Sequence, residues 1–387
     1  MSASAAVARE LAPTFADRAA EHDREGSFPK ADFDAIRAAG LLGLMVPERL
    51  GGAGASFREY TDAAYELARG NGATALIYNM HASVTGALAT TPDDLARALG
   101  APESFFAARD RVLRAAADGA LYAVAMSEHG AGSRFSAMTT TYEREGEGWR
   151  LRGHKTFCSG AGHADAYLVV ARSLDGDPPR VSQFLVPAGE GLMVQPTWDS
   201  LGMRATGSHD IEIDCLAPAD ALLGGVEGLA VLLAQVMPQW LVASYAAVYV
   251  GVARSAVDEA VAHLQRRSLT HLPAVRARVG RADALVEAAR LAVTAAAGRV
   301  DDAPGDSETN RAVYQAKLLA GETAQTVAAS MLEAAGTSAT RRGHPLERIF
   351  RDARCGSLQP ATSDVCADWL GAAALGLDPN AGEVSRW

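Results

Sequence analysis

The chain has 387 residues, 49% of them hydrophobic, and 46 acidic against 36 basic residues give a formal net charge of -10. A chain of this size divides into two or three domains with large cores, and its acidic balance argues against a nucleic-acid groove, which needs a basic face. Cys158, Cys215, Cys355 and Cys366 follow neither a disulfide framework nor metal-ligand spacing, so free thiols in a reducing compartment are expected and a metal site is not. No basic-then-apolar leader stands at the N-terminus, and no apolar run approaches the ~20 residues needed to span a bilayer. A cytoplasmic protein without membrane insertion is therefore expected.

From Ala5 to about Ala117 the apolar period is helical, with Phe33, Ile36, Leu41 and Leu42 leading into a break at Leu50-Gly51-Gly52-Ala53-Gly54. A new helix is expected near Ser56, with Glu59 at capping-box distance, and a long apolar helix from Ala73 to Leu88 carries His81. From about Leu121 to Gly225 the period switches to two. The run Ala123 to Met126 ends in a turn of small residues, His129-Gly130-Ala131-Gly132-Ser133, where a backbone can closely approach a ligand. Glu145-Gly146-Glu147-Gly148 punctuates a hairpin, and strands are expected at Tyr167 to Ala171, Gln183 to Val186 and Asp210 to Cys215. After Gly225 the helical period returns, Ala-rich, from Val231 to Gln265, Ala274 to Arg299, Thr309 to Ala335 and Asp364 to Leu375, as in a four-helix bundle.

Four landmarks in order resemble the acyl-CoA dehydrogenase superfamily. Ser127-Glu128-His129-Gly130-Ala131-Gly132-Ser133-Arg134 is similar to its Thr/Ser-Glu-Pro-Gly-Ala-Gly-Ser-Asp turn, and Gly153-His154-Lys155-Thr156-Phe157-Cys158-Ser159 to its Gly-x-Lys-x-aromatic-x-Thr/Ser strand. Leu201-Gly202-Met203-Arg204-Ala205-Thr206 and Arg351-Asp352-Ala353-Arg354 complete the set. The resemblance implies an α+β fold in three parts: a helical N-terminal domain over 1–120, a small β-barrel-like middle domain over 121–229, and a C-terminal four-helix bundle over 230–387.

It also implies a cofactor, FAD with FMN as the other option, and at least a dimer, commonly a homodimer or homotetramer. Carried over residue by residue, Ser127 meets the flavin edge, Ser133 meets the pyrophosphate with Gly130 and Gly132 cofactor-binding in the same turn, Phe157 stacks on the ring, and Ser159 bonds the reactive nitrogen. Arg267 and Gly336 fall where the family reaches a partner subunit's FAD, and Thr362 is expected on the cofactor side of the late segment. Two motifs depart from the pattern. Leu269-Thr270-His271 stands for Thr-Phe-Gly, and Glu333-Ala334-Ala335-Gly336-Thr337 for Gln-x-x-Gly-Gly.

Dehydrogenation of an acyl thioester requires a carboxylate beside the α carbon. The two places where the family keeps that glutamate correspond here to Pro360 and Leu241. Three readings follow, with thioester dehydrogenation leading and oxygenation second. The base is supplied elsewhere, with His81, Glu128 or Asp364 as candidates and Asp364 equally suited to a helix N-terminus. Alternatively the chain is a monooxygenase using reduced flavin and O2, because Lys155-Thr156-Phe157-Cys158-Ser159-Gly160-Ala161 and His81 resemble the superfamily's dibenzothiophene monooxygenase branch. Or it is a flavin-binding homologue without turnover. The first two imply different partners, an electron-transferring flavoprotein with an acyl thioester, or a flavin reductase with a small organic substrate.

Overall fold

The computed structural model describes residues 2–240 and 242–381; Leu241, one of the two positions where the resemblance places the base, lies outside them. The first helical layer comprises α1 (Ala3–Glu25), α2 (Lys30–Ala38), α3 (Phe57–Gly70), α4 (Gly72–Thr90), α5 (Asp93–Ala98) and α6 (Glu103–Ala117). At α3 the expected capping box is present, Ser56 accepting from the Glu59 amide while the Glu59 carboxylate accepts from the Ser56 amide. Helix α4 is apolar on all sides and buried from Gly72 to Gly86, which marks it as a core helix rather than a surface one.

Seven strands follow: β1 (Tyr122–Ala125), β2 (Thr141–Glu145), β3 (Gly148–Cys158), β4 (Ala166–Ser173), β5 (Val181–Pro187), β6 (Leu192–Gln195) and β7 (His209–Ala217). They form one sheet in the order β1-β4-β2-β3-β7-β6, with β5 also paired to β4. The hairpin read from Glu145 to Gly148 joins β2 to β3. On β7, Ile211, Ile213 and Cys215 face a core that includes Tyr142, Trp149 and Phe184, while Glu212 and Asp214 face out.

The C-terminal layer holds α7 (Leu229–Val236), α8 (Ala243–Arg266), α9 (Pro273–Asp302), α10 (Ser307–Ala335), α11 (Pro345–Arg354) and α12 (Ser363–Ala374). The single helix expected from Val231 to Gln265 is two helices around a 3-10 turn at Pro238–Trp240. Pro238 has no amide proton to continue the helix. The stretch Pro238–Arg266 is long and apolar enough to cross a membrane, against the sequence expectation, but 94% of its most apolar window is buried inside the protein. The late Arg-Asp-Ala-Arg landmark forms a helix of its own, α11, with an apolar face on the bundle through Leu346, Ile349 and Ala353.

Candidate active site

A cavity of about 670 Å³ opens where β1, the end of β3, the β6–β7 connection and the segment after α11 meet, with Met80 of α4 and Tyr245 of α8 in its wall. Its position is set by one staple. The carboxylate of Glu128, 3% exposed, accepts from the Thr139 and Thr140 amides, the Thr139 hydroxyl and the Lys155 ammonium, the last at 2.8 Å. Lys155 also donates to the Met126 carbonyl at 3.1 Å. Burial pushes the Glu128 carboxyl up, but the Lys155 charge and these hydrogen bonds outweigh it and hold the group below its usual range. Burial likewise pulls Lys155 down, to about 8, against the opposing pull of Glu128.

The staple pins the glycine turn to β3. The amides and carbonyls of Glu128 and Gly132 bond reciprocally at 2.8 and 2.9 Å, and Gly130 and Gly132 take φ of 81° and 62°, which favour glycine. A Cβ on either would meet nothing within 4 Å, so the turn presents bare backbone to open space. Arg134 folds back onto the Ala131 and Gly130 carbonyls of this turn.

At the end of β3 the pairing with β7 slips between Lys155 and Cys158. This bulge separates side chains that strict alternation would have arranged otherwise. Cys158 is wholly buried, while Phe157, at φ 57°, is 60% exposed beside the cavity. Trp198 packs edge-on to its ring at 5.8 Å. Past the bulge, Ser159 lies 2.9 Å from Ser208, which lies 2.6 Å from Thr206, whose hydroxyl donates to the Met203 carbonyl. All three hydroxyl residues line the cavity.

The opposite wall is held by α11. Arg351 makes a bidentate pair with Asp23 and donates to the Leu201 carbonyl, and Asp352 accepts from the Met203 amide at 2.5 Å. Gly202 fits between them because a Cβ there would sit 2.3 Å from the Arg351 carbonyl oxygen. Behind the turn that follows α11, Lys317 of α10 is fully buried and donates to the carbonyls of Gly356, Gln359 and Ala361 at 3.0, 3.2 and 2.9 Å. This ammonium fixes the segment that presents Pro360 to the cavity.

Of the residues expected at the site, the structure gathers Ser127, Gly132, Ser133, Phe157, Ser159 and Thr362 around the cavity. Gly130 lies in the same turn. His81 is not there. It is 1% exposed, its Nε2 donates to the Leu42 carbonyl at 2.7 Å, and its Nδ1 accepts from the Tyr122 amide at 3.1 Å. Burial lowers its pKa to about 4, so it is a neutral strut between α4 and β1, with no nitrogen left for substrate. Glu128 is the staple described above and no free base. Asp364 is exposed in the first turn of α12, outside the cavity lining, where it meets the helix dipole.

Arg267 and Gly336 also lie outside the cavity of their own chain, exposed at the ends of α8 and α10. His344, just past α10, bonds His263 in the last turn of α8, so both residues stand at one end of the bundle. There Glu333 pairs with Arg278 at 2.6 Å. Sequence reading missed Lys155, Lys317, Ser208 and Thr206 as site-builders. The hydroxyl chain left no local signal, because it forms only where Cys158 pairs with His209 and the residues flanking that pair come together.

Among the described residues lining the cavity the carboxylates are Asp199 and Asp210. Asp199 is paired with Arg204 at 2.7 Å and largely exposed. Asp210 is bonded to His129 at 3.0 Å. The wall around Pro360 presents Leu358, Gln359 and Thr362 and no acid.

Residues 2–94, 123–215 and 235–375 match, in order, the N-terminal, middle and C-terminal domains of acyl-CoA dehydrogenases. The chain is 33% identical to L-evernosamine nitrososynthase of Micromonospora sp., over 95% of this chain and 88% of that protein. It is 30% identical to the mitochondrial short-chain specific acyl-CoA dehydrogenase of Homo sapiens, over 90% and 83%. Among solved structures, the dibenzothiophene monooxygenase TdsC of Paenibacillus sp. A11-2 superposes with a TM-score of 0.81 at 26% identity, covering 96% of this chain and 97% of TdsC. The FMN-bound form of TdsC gives 0.84 at 27% over the same shares.

Proposed function

The chain belongs to the acyl-CoA dehydrogenase family, and from that premise we propose that it is a flavin-dependent oxygenase acting on an amine or other small organic substrate. The observation that carries this reading is the part of the cavity wall around Pro360, which presents no acid. Pro360 occupies one family position for the base, the sequence has Leu241 at the other, and the two carboxylates in the lining are already engaged. Removal of an α proton from a thioester is left without a glutamate beside it, whereas oxygen transfer to an amine nitrogen abstracts no carbon-bound proton. The similarity to a nitrososynthase and to TdsC, each over most of its length, supports the same choice.

The residues present fit a flavin, FAD or FMN. Bound flavin supplies the redox chemistry, exchanging electrons in pairs and, when reduced, activating O2. Phe157 offers a large exposed aromatic face to a flat ring. The amides of the Gly130–Ser133 turn and the Ser133 hydroxyl suit a phosphate. Ser159 is expected to donate to the ring's reactive nitrogen, with Ser208 and Thr206 behind it to accept or return a proton. Met80, Leu76 and Tyr245 make the inner wall apolar, which keeps water from the reacting centre.

In this reading a flavin reductase is the redox partner. Arg267 and Gly336 serve the flavin of a second copy, which makes the protein at least a dimer. The dehydrogenase reading keeps one support, the 30% identity to a short-chain acyl-CoA dehydrogenase; it implies an electron-transferring flavoprotein instead. The two part when the flavin-loaded protein, a flavin reductase and NADH are supplied with isotopically labelled O2 and a panel of amines and small aromatic compounds. Label in an organic product is the expected result. Consumption of O2 to hydrogen peroxide alone, with every compound recovered unchanged, would count against it.

A further inference from the structure

At the rim of the cavity three side chains from three separate segments converge. His129 comes from the glycine turn, His154 from β3 and Asp210 from β7. In the β3–β7 register His154 is paired with Glu212, so Asp210, two residues away on β7, lies diagonally across on the same face. His129 reaches over from the turn, and the two imidazoles lie nearly parallel, 5.5 Å apart with 22° between their planes.

Both Nε2 atoms point at the same oxygen, Oδ2 of Asp210, at 3.0 Å for His129 and 3.7 Å for His154. The three ligand-type atoms all lie within 4.8 Å of one another. One histidine is enough to satisfy a carboxylate oxygen. A second imidazole stands 3.7 Å from the same oxygen, too far for a hydrogen bond.

A cation between them changes that balance. Two neutral imidazoles and one carboxylate form a three-ligand set of the kind that holds zinc with an open position. Ligand distances of about 2.0–2.2 Å require only small inward shifts of the two exposed rings. The carboxylate is already fixed: it is 6% exposed, the Thr156 side chain donates to it, and its own amide bonds Thr197 at 3.1 Å. Outer contacts of this kind orient a metal-binding carboxylate. His129 and Asp210 line the cavity, so the set borders it.

We infer that His129, His154 and Asp210 form a site for one divalent transition metal of the zinc type at the cavity rim. It stands apart from the oxygenase reading, because its test is metal uptake and not turnover. Full-length protein without a polyhistidine tag is stripped with chelator and titrated calorimetrically with zinc chloride, with cobalt(II) absorption reporting the ligand field. Saturation at one zinc per chain is expected. His154→Ala, at a half-buried strand position, and His129→Ala should each weaken binding by at least the roughly 10–100-fold that even an outer partner is worth. His271→Ala, at an exposed histidine elsewhere, should leave it unchanged. No saturable uptake by the unaltered chain, or uptake that His154→Ala leaves intact while circular dichroism shows the fold retained, would overturn the inference.

Discussion

Phe157 takes a φ of 57°, a conformation that costs an L-residue roughly 1–2 kcal/mol, and with 60% of its surface exposed it recovers little of that by burial. Strain of this kind persists where function needs the geometry. Phe157→Gly is therefore expected to leave the thermal midpoint level or higher while weakening flavin binding about threefold to tenfold, the worth of one aromatic contact. Paired melting and fluorescence titrations check both halves, and a variant that binds flavin as tightly as the parent would remove Phe157 from the site. His81 makes a residue-scale prediction of another kind. Its folded pKa near 4 lies below the ordinary 6.5 because burial penalises the charge. Between these values the unfolded chain binds the extra proton. The stability that His81 contributes is thus complete above 6.5 and is lost as pH falls toward 4, by roughly 3 kcal/mol. Urea unfolding across that window should show the slope, and His81→Gln should flatten it.

Single elements show which signals are local. The hairpin around Gly146 and the capping box at Ser56 were legible because each is written within four residues. The bulge that turns Phe157 outward was not, since it exists only in the pairing of β3 with β7, some fifty residues away. A helical period placed His81 on α4 correctly but could not reveal that Leu42 and Tyr122 close over it. Lys317, a lysine in an Ala-rich helix, reads as surface charge. Only the fold puts three carbonyls around it. The staple between Glu128 and Lys155 belongs to this scale, because it joins the glycine turn to a strand. Lys155→Met is expected to cost about 3–5 kcal/mol, as breaking one side of a buried pair does, and Glu128→Gln in the same chain should recover part of it. A loss below about 1 kcal/mol in the single variant, measured by denaturant unfolding, would show that the pair does not hold the turn.

Across the whole molecule the cavity belongs to no single layer. The helical N-terminal region supplies Met80, the sheet supplies the turn and Phe157, and the C-terminal helices supply Tyr245 and the Pro360 segment. The order of these parts was legible in the sequence, which has Pro360 and Leu241 where the resemblance places the acid. The other side of that absence, a wall around Pro360 that presents no acid and is held in place by Lys317 and α11, took the three-dimensional structure to see. This wall is the basis for choosing oxygen transfer over thioester dehydrogenation, and it can be probed without knowing the substrate. The flavin-loaded protein is mixed anaerobically with a panel of acyl-CoA thioesters while the flavin's visible absorption is followed, with Pro360→Glu run alongside as the chain with a base restored. The absorption of the unaltered protein is predicted to stay unchanged with every thioester. Rapid bleaching by any one of them, without a glutamate at position 360, would contradict the account.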